Sequence, residues 1–263
     1  MKLRFIQWNI KHNSDPVLIA KFILQYKEEL CIVQLQEVTT SHFRTIAKIL
    51  DAQSSAHSLT LRPRGKFEGK NRELGVAIFV FGGELTNADL LHRSVFPERT
   101  LISELNFENI RLRTLNFHSL TGVGYRQAKS SNFSTIADYL HSFPVDIFSC
   151  DANEPNIDAL QLKDLVFFDN GDKGKCASLV FGIDKVHELN DVWRTHTLAN
   201  GLSSTMHSQE FPISYAINSK LLKRYDFIYA AQHIQPIAVN YLYSASKLAS
   251  SDHAMVIADL LLV

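Results

Sequence analysis

Apolar positions along the chain alternate first between strand-like and helical spacing, then settle into strands joined by turns. Residues 3–10 are rich in β-formers and apolar on both faces, the pattern of a buried strand. Asp15-Pro16 then supplies an N-cap followed by proline at the first helical position. The stretch VLIAKFILQYKEEL (17–30) has helical apolar spacing and ends in charge. Residues 31–35 form a short continuous apolar strand, and 39–50 read as a second helix opened by Thr39, Thr40 or Ser41. A β-α-β-α start points to a layered α/β fold.

From about residue 58 the pattern becomes strand and turn. Residues 74–81 are a strong strand stopped by Gly82-Gly83, and 101–107 with 110–117 flank Glu108-Asn109 as an antiparallel hairpin. Helical spacing returns at 131–141, followed by Pro144 and an apolar strand at 145–149. Residues 161–165 suggest a short helix. Strands are expected at 179–181, 186–192, 225–230 and 233–243, and an apolar strand at 254–263. No Ser/Gly linker, composition break or repeat divides the chain, so a single domain over 1–263 is expected, sheet packed on sheet with helices outside.

Five scattered segments place a carboxylate, amide or imidazole at the edge of an apolar run. They are IQWNI with Asn9, IVQLQEV with Glu37, TLNFHS with His118, FSCDANEP with Asp151 and Asn153, and RYDFIYA with SSDHAMVIADL, carrying Asp226, Asp252 and His253. A sheet can gather distant strand ends into one pocket. This inventory of hard oxygen ligands and imidazoles, without a cysteine cluster, suits Mg²⁺ and phosphate better than zinc. It implies metal-dependent phosphoester hydrolysis.

Each group taken alone also has a plainer reading. Glu37 fits a first helical turn as well as a ligand. DANEP fits a turn with side-chain caps; it is not an EF-hand loop, because Asn156 stands where the invariant glycine belongs. As a site, Asp151 can orient a water and the Asn153 amide can hydrogen-bond a phosphoryl oxygen. Asp226 lies within an apolar strand, where an unpaired carboxylate is costly. Pairing it with His253 removes that cost and polarises the imidazole, leaving Asp252 as a second metal-side carboxylate. His118 opens the loop SLTGVGYRQ, near which Arg126 and Lys129 could face phosphate.

Composition narrows the choice. Lys+Arg and Asp+Glu balance at 27 each, with 46% hydrophobic residues, an ordinary globular profile without a global electrostatic footprint for nucleic acid. That weakens a DNA substrate without excluding one, because a groove can be basic on a neutral protein. Cys31, Cys150 and Cys176 are sparse and odd in number, which suggests a reducing compartment. MKLRFIQWNI is unlike a secretory signal, and no apolar run approaches the ~20 residues that span a bilayer. A soluble, cytoplasmic protein without a membrane span is the expectation.

Read as an ordered set, the motifs resemble the endonuclease/exonuclease/phosphatase (DNase I-like) superfamily. The resemblance rests on Trp8-Asn9, Gln36-Glu37, Asn116-Phe117-His118, YRQAK at 125–129, and Cys150-Asp151-Ala152-Asn153. It continues through DVWR at 191–194 with Ser204-Thr205, Arg224-Tyr225-Asp226-Phe227-Ile228, and Ser251-Asp252-His253. It implies a four-layer α/β/β/α sandwich, two packed mixed β-sheets flanked by helices, with one or two Mg²⁺ or Mn²⁺ ions. Glu37 would be the main metal ligand, with Asn9 beside it and Asp252 on the metal side. Asp151 would position the attacking water, Asn153 and His118 would bind the phosphoryl group, and His253 with Asp226 would stabilise charge or act as base. Lys11, Arg126 and Arg224 would contact substrate. Two departures stand out: Cys150 replaces a glycine, placing a side chain in an expected tight turn, and Lys11 replaces the aspartate of some members. The latter favours a one-metal site or a phosphate-binding lysine and argues against the abasic-site nucleases.

Substrate depends on loops. RPRGKFEGKNRE at 62–73, with five basic and two acidic residues around Phe67, could track a nucleic-acid backbone or be a solvated loop. The polar stretch 197–220, with His207, could rim the pocket. A nuclease or related nucleic-acid phosphodiesterase is the leading reading, a lipid- or inositol-type phosphoesterase the alternative, and a non-catalytic module of the same fold the third.

Overall fold

The computed structural model describes residues 1–62, 72–201 and 211–262. Most of the basic stretch at 62–73, and Ser204, Thr205 and His207, lie outside the described residues. In chain order the elements are β1 (Lys2–Asn9), α1 (Pro16–Tyr26), β2 (Cys31–Val38), α2 (Thr40–Leu50), β3 (Ser54–His57), α3 (Ser58–Leu61), β4 (Gly75–Phe81) and β5 (Glu84–Asp89). There follow β6 (Thr100–Phe107), β7 (Ile110–His118), α4 (Arg126–Ser142), β8 (Ile147–Asp151), α5 (Lys175–Phe181), β9 (Asn190–Asp191) and α6 (Val192–Ala199). The last are β10 (Tyr215–Ile217), β11 (Leu221–Lys223), β12 (Asp226–Ala230), β13 (Ile234–Tyr241), α7 (Tyr243–Leu248) and β14 (Val256–Leu262).

Two six-stranded sheets result, ordered β13-β14-β1-β2-β4-β3 and β5-β6-β7-β8-β12-β9, with β10-β11 a separate hairpin. Each sheet is mixed: β1 runs parallel to β2 and β7 parallel to β8, and the other pairs are antiparallel. The inner faces meet in an apolar core that includes Leu3, Phe5 and Ile32 from one sheet and Leu105, Ile147 and Ile228 from the other. Helices α1 and α2 cover the back of the first sheet over Ile6, Trp8 and Val33, and α4 and α5 cover the second over Phe117 and Phe148. The four-layer α/β/β/α sandwich is therefore present, and burial on both sides explains why β1, β2 and β8 lack simple alternation.

Along the inner face, chemistry changes steadily toward one end. On β1 the sequence is Leu3, Phe5, Gln7, Asn9; on β7 it is Leu112, Thr114, Asn116, His118; on β8 it is Ile147, Ser149, Asp151. The middle polar groups are buried and paired within and across the sheets. Gln7 Nε2 donates to Gln36 Oε1 (2.8 Å), Gln36 Nε2 to Asn116 Oδ1 (2.7 Å), Gln34 Nε2 to Thr114 Oγ1 (2.9 Å), and Ser149 Oγ to Gln34 Oε1 (2.7 Å). This amide and hydroxyl layer pairs buried polar atoms that would otherwise be costly, Gln7 Oε1 excepted, and it forms a rigid floor beneath the titratable groups.

The helix starts follow their caps: the Asp15 carboxylate accepts from Val17 N and the Thr39 hydroxyl from His42 N. Four expectations need correction. Residues 179–181 are the end of α5, where Val180 and Phe181 pack against α4 rather than pair in a sheet. Of 186–192 only Asn190–Asp191 is strand, because the Asp191 carboxylate caps α6 at Trp193 N and Arg194 N. Residues 161–165 hold a single 3-10 turn, Leu162–Asp164. Cys150 lies not in a tight turn but inside β8, paired with Phe117 and Phe227 and buried in the core. Among the described residues no helix is long and apolar enough to cross a membrane.

Candidate active site

Register brings the strand ends to one point. His118 faces Asp151 across β7 and β8, Asp151 faces Asp226 across β8 and β12, and Asn9 lies beside Gln36 across β1 and β2. The pairing of β2 with β4 shifts between Leu35 and Val38, and Glu37 sits in that irregularity with φ 57°. A bulge of this kind re-aims one side chain. Here it turns the Glu37 carboxylate into a cleft of about 300 Å³ shared with Lys11, Arg99, His118, Asp151, Asn153, Tyr215, Asp252 and His253. Lys11 (φ 59°) and Asn153 (φ 49°) also take left-handed backbone, so three cleft residues hold a conformation costing non-glycine residues ~1–2 kcal/mol each.

Two carboxylates are tied together at the centre. Asn9 Nδ2 donates to Asp151 Oδ2 (2.8 Å) and lies 3.4 Å from Glu37 Oε1, while its own Oδ1 accepts from Lys11 N (3.0 Å). Glu37 Oε2 accepts from His12 N at 3.0 Å and meets the His12 ring at 3.1 Å. Asp151 Oδ1 accepts from Asn153 N (3.1 Å), and the Asn153 side chain donates to Ser119 O (3.2 Å). His118 Nε2 is 3.5 Å from Asp151 and 3.8 Å from Glu37.

Beside them is the anticipated dyad. Asp226, with no exposed surface, contacts His253 Nδ1 at 2.8 Å and accepts from Gln7 Nε2 at 2.8 Å. The loop carrying His253 is pinned by Trp8 Nε1 on His253 O (3.0 Å) and by Ser251 Oγ on Asn9 O (2.7 Å). Tyr215 stacks on the imidazole, ring centroids 4.5 Å apart and 25° between planes.

Environment separates the protonation states. Burial alone would lower His253, but the Asp226 and Asp151 carboxylates outweigh it and raise the imidazole to about 10. Burial pushes Asp151 up to about 7, helped by Asp226 and opposed by His253 and Asn9. Burial and the Arg99 guanidinium hold His118 near 3, hence neutral. Glu37 lies at about 2; burial opposes this, and the His118 imidazole and the His12 contacts bring it down. Because His118 is itself neutral at physiological pH, the His12 amide and ring are the partners that persist there. The cleft thus holds an ionised carboxylate, an imidazolium and a carboxyl poised near neutrality.

The donor set fits a hard divalent cation: the Glu37 carboxylate, with Asp151 and Asp252 around the same cleft and no sulfur, while Asn9 turns its Nδ2 to Glu37 and Asp151 and its Oδ1 accepts from Lys11 N. Asp151, Asp226 and His253 also place ligand atoms within 4.8 Å of one another. Asp226 is already occupied by Gln7 and His253, so the hydrogen-bonded dyad describes that trio better than a metal centre.

The remaining expected residues divide. Lys11 and Asp252 form an ion pair at the rim, Nζ to Oδ2 3.4 Å. Arg126 opens α4 and lines an adjoining groove with Thr121, Phe168 and Tyr225. Arg224 departs from the expected substrate contact: its side chain is buried and ion-paired with Asp158 and Asp191, both at 2.7 Å. Lys129, 1% exposed, bonds Glu154 and Asn153 O at 2.8 Å and braces the Asn153 loop instead of facing phosphate. Arg99, His12 and Tyr215 were not legible as cleft residues, since none stands at the end of an apolar run.

No family model and no curated protein sequence matches the chain. Solved structures do. A humanised D. rerio TDP2 superposes with TM-score 0.69 at 14% identity, covering 99% of each chain. The human Nocturnin catalytic domain with bound sulfate gives 0.64 at 18%, covering 100% of this chain and 95% of that one. An endonuclease/exonuclease/phosphatase from Bacteroides vulgatus gives 0.62 at 14%, covering 100% of both. The chain has the endonuclease/exonuclease/phosphatase fold. The cleft lies where ends of the two sheets meet, and it is there that the Trp8-Asn9, Gln36-Glu37, Asn116–His118, Asp151–Asn153, Asp226 and Asp252-His253 motifs come together.

Proposed function

We propose that the protein is a metal-dependent phosphoester hydrolase, acting foremost as a nuclease or related nucleic-acid phosphodiesterase. The observation that carries this is the convergence of Glu37, Asp151, Asn153, His118 and the Asp226–His253 dyad on one cleft. Glu37, assisted by Asn9 and Asp252, would hold Mg²⁺ or Mn²⁺. When bound, such an ion neutralises charge on the phosphate and leaving oxygen. Asp151, near neutrality in its titration, accepts the proton of an attacking water. Asn153 and the neutral His118 orient the phosphoryl group, and the His253 imidazolium, held by Asp226, stabilises developing negative charge. A D. rerio TDP2 structure contains a single-strand DNA product, which supports a nucleic-acid substrate.

A phosphoesterase acting on lipid- or inositol-type phosphoesters is the second reading, favoured by the formal net charge of zero. The test is Mg²⁺- or Mn²⁺-dependent hydrolysis of single- and double-stranded DNA, RNA, a chromogenic phosphodiester and an inositol phosphate. Glu37→Ala serves as control. Nucleic-acid cleavage abolished by Glu37→Ala supports the first reading, and cleavage of small phosphoesters alone supports the second. Turnover undiminished in Glu37→Ala refutes the site.

A further inference from the structure

We propose that Arg99 is a built-in anion-binding residue, taking a non-bridging oxygen of the substrate's phosphate beside His118. The identity of that anion rests on the hydrolase reading; the existence of the site does not. Register explains its position. Thr100 pairs with Phe117 across β6 and β7, so the residue before Thr100 falls beside His118. Arg99 Nη1 lies 3.1 Å from His118 Nδ1, and the side chain lines the cleft.

What sets Arg99 apart is that no carboxylate among the described residues contacts it; Glu37, Glu98 and Asp151 act on it only from a distance. The adjacent carboxylate, Glu98, has no exposed surface and is taken by Arg72 and Arg62. Other buried cations are matched: Lys129 by Glu154, and Arg194 and Arg224 by Asp158 and Asp191. Arg99 is 8% exposed, forms no ion pair among the described residues, and leaves its Nε buried without a hydrogen-bond partner. A guanidinium does not escape this by losing its proton. A buried cation without a contacting carboxylate weakens the fold, and an arriving anion offsets this. The planar fork suits a phosphate's oxygens, and His118 and Asn153 add neutral groups in the same cleft.

Arg99 also sets the neighbouring imidazole. A guanidinium only donates, so His118 Nδ1 must accept, and the ring proton resides on Nε2, which faces Asp151 and Glu37. Arg99 therefore acts directly on the anion and as a positioning residue for His118.

The test measures binding of inorganic phosphate to the whole protein in EDTA, by calorimetry and by melting, for wild type, Arg99→Met and Arg99→Lys. Phosphate is expected to bind wild type about tenfold to a hundredfold more tightly than Arg99→Met, the range of one charge-assisted hydrogen bond. Arg99→Lys should fall between them. Without phosphate, Arg99→Met should melt at or above the wild-type temperature, since an unmatched buried charge is removed. Nitrogen NMR should show His118 protonated on Nε2 in wild type and losing that preference in Arg99→Met. Equal phosphate affinity in the variants, no binding by wild type, or an Arg99→Met protein that fails to fold or melts several degrees lower would overturn the proposal. Phosphate binding through Arg99 without any hydrolysis would sink the hydrolase reading and leave the site standing. Hydrolysis with kcat/KM undiminished in Arg99→Met would do the reverse.

Discussion

Asp226→Asn removes the carboxylate that contacts the His253 imidazolium. His253 stands at about 10 against an ordinary 6.5. At about 1.4 kcal/mol per pH unit, that gap is roughly 5 kcal/mol of preference for the protonated ring. Coulomb's law at an effective dielectric near 20 gives roughly 6 kcal/mol for a contact of 2.8 Å, so Asp226 alone is large enough to supply it. Without that charge, burial dominates, opposed by Asp151, 3.8 Å away, and by Asp252. The ring should then titrate below 7, which nitrogen NMR of His253 reads directly. The fold should survive at a cost of ~1–3 kcal/mol, because the new amide keeps an oxygen for Gln7 Nε2 and can donate its nitrogen to a neutral His253 Nδ1. Turnover should fall by about 10²–10⁴, the worth of a positioned acid–base group. The linkage has a definite sign. A raised folded pKa adds stability that is full below pH 6.5 and is lost as pH rises through 10. Denaturation from pH 7 to 9.5 should therefore weaken wild type more than Asp226→Asn. Equal pH slopes, or an Asp226→Asn protein whose His253 still titrates near 10, would refute the reasoning.

Other expectations are simpler. Glu37→Ala should lose at least a hundredfold in phosphodiesterase turnover with a melting temperature near wild type, since Glu37 sits in a strained bulge and its carboxylate lines the open cleft rather than the core; parallel assays and melts check both. Arg224→Met should cost about 3–5 kcal/mol in urea unfolding, because it strips a cation from the buried Asp158 and Asp191. Burial holds His57 and His187 near 4, each meeting a backbone oxygen, so the unfolded chain takes protons below pH 6.5 that the native state refuses. Each should cost about 2 kcal/mol between pH 7 and 5. A His187→Gln variant should accordingly lose that much less stability than wild type over this interval, and identical losses would refute the assignment.

The main strands, the α1 and α2 starts and the order of the motifs were legible because they are local. Asp15 and Thr39 cap helices within a few residues, and β1 shows burial on both faces in its own composition. The Asp226–His253 pair was legible for an energetic reason, as a carboxylate in an apolar strand requires a partner. Helix α5 and the start of α6 were not, since three apolar residues fit helix or strand equally and tertiary packing chose between them. Arg224 and Lys129 showed the same cationic groups that a phosphate contact would, and only the buried carboxylates opposite them reveal structural roles. Arg99 reverses that case. Its neighbour along the chain, Glu98, is claimed by Arg72 and Arg62 across the fold. The amino-acid sequence by itself determined which residues could do chemistry. Which of them face one another was decided by strand register and by competition for counter-ions, and both are set by groups far apart along the chain.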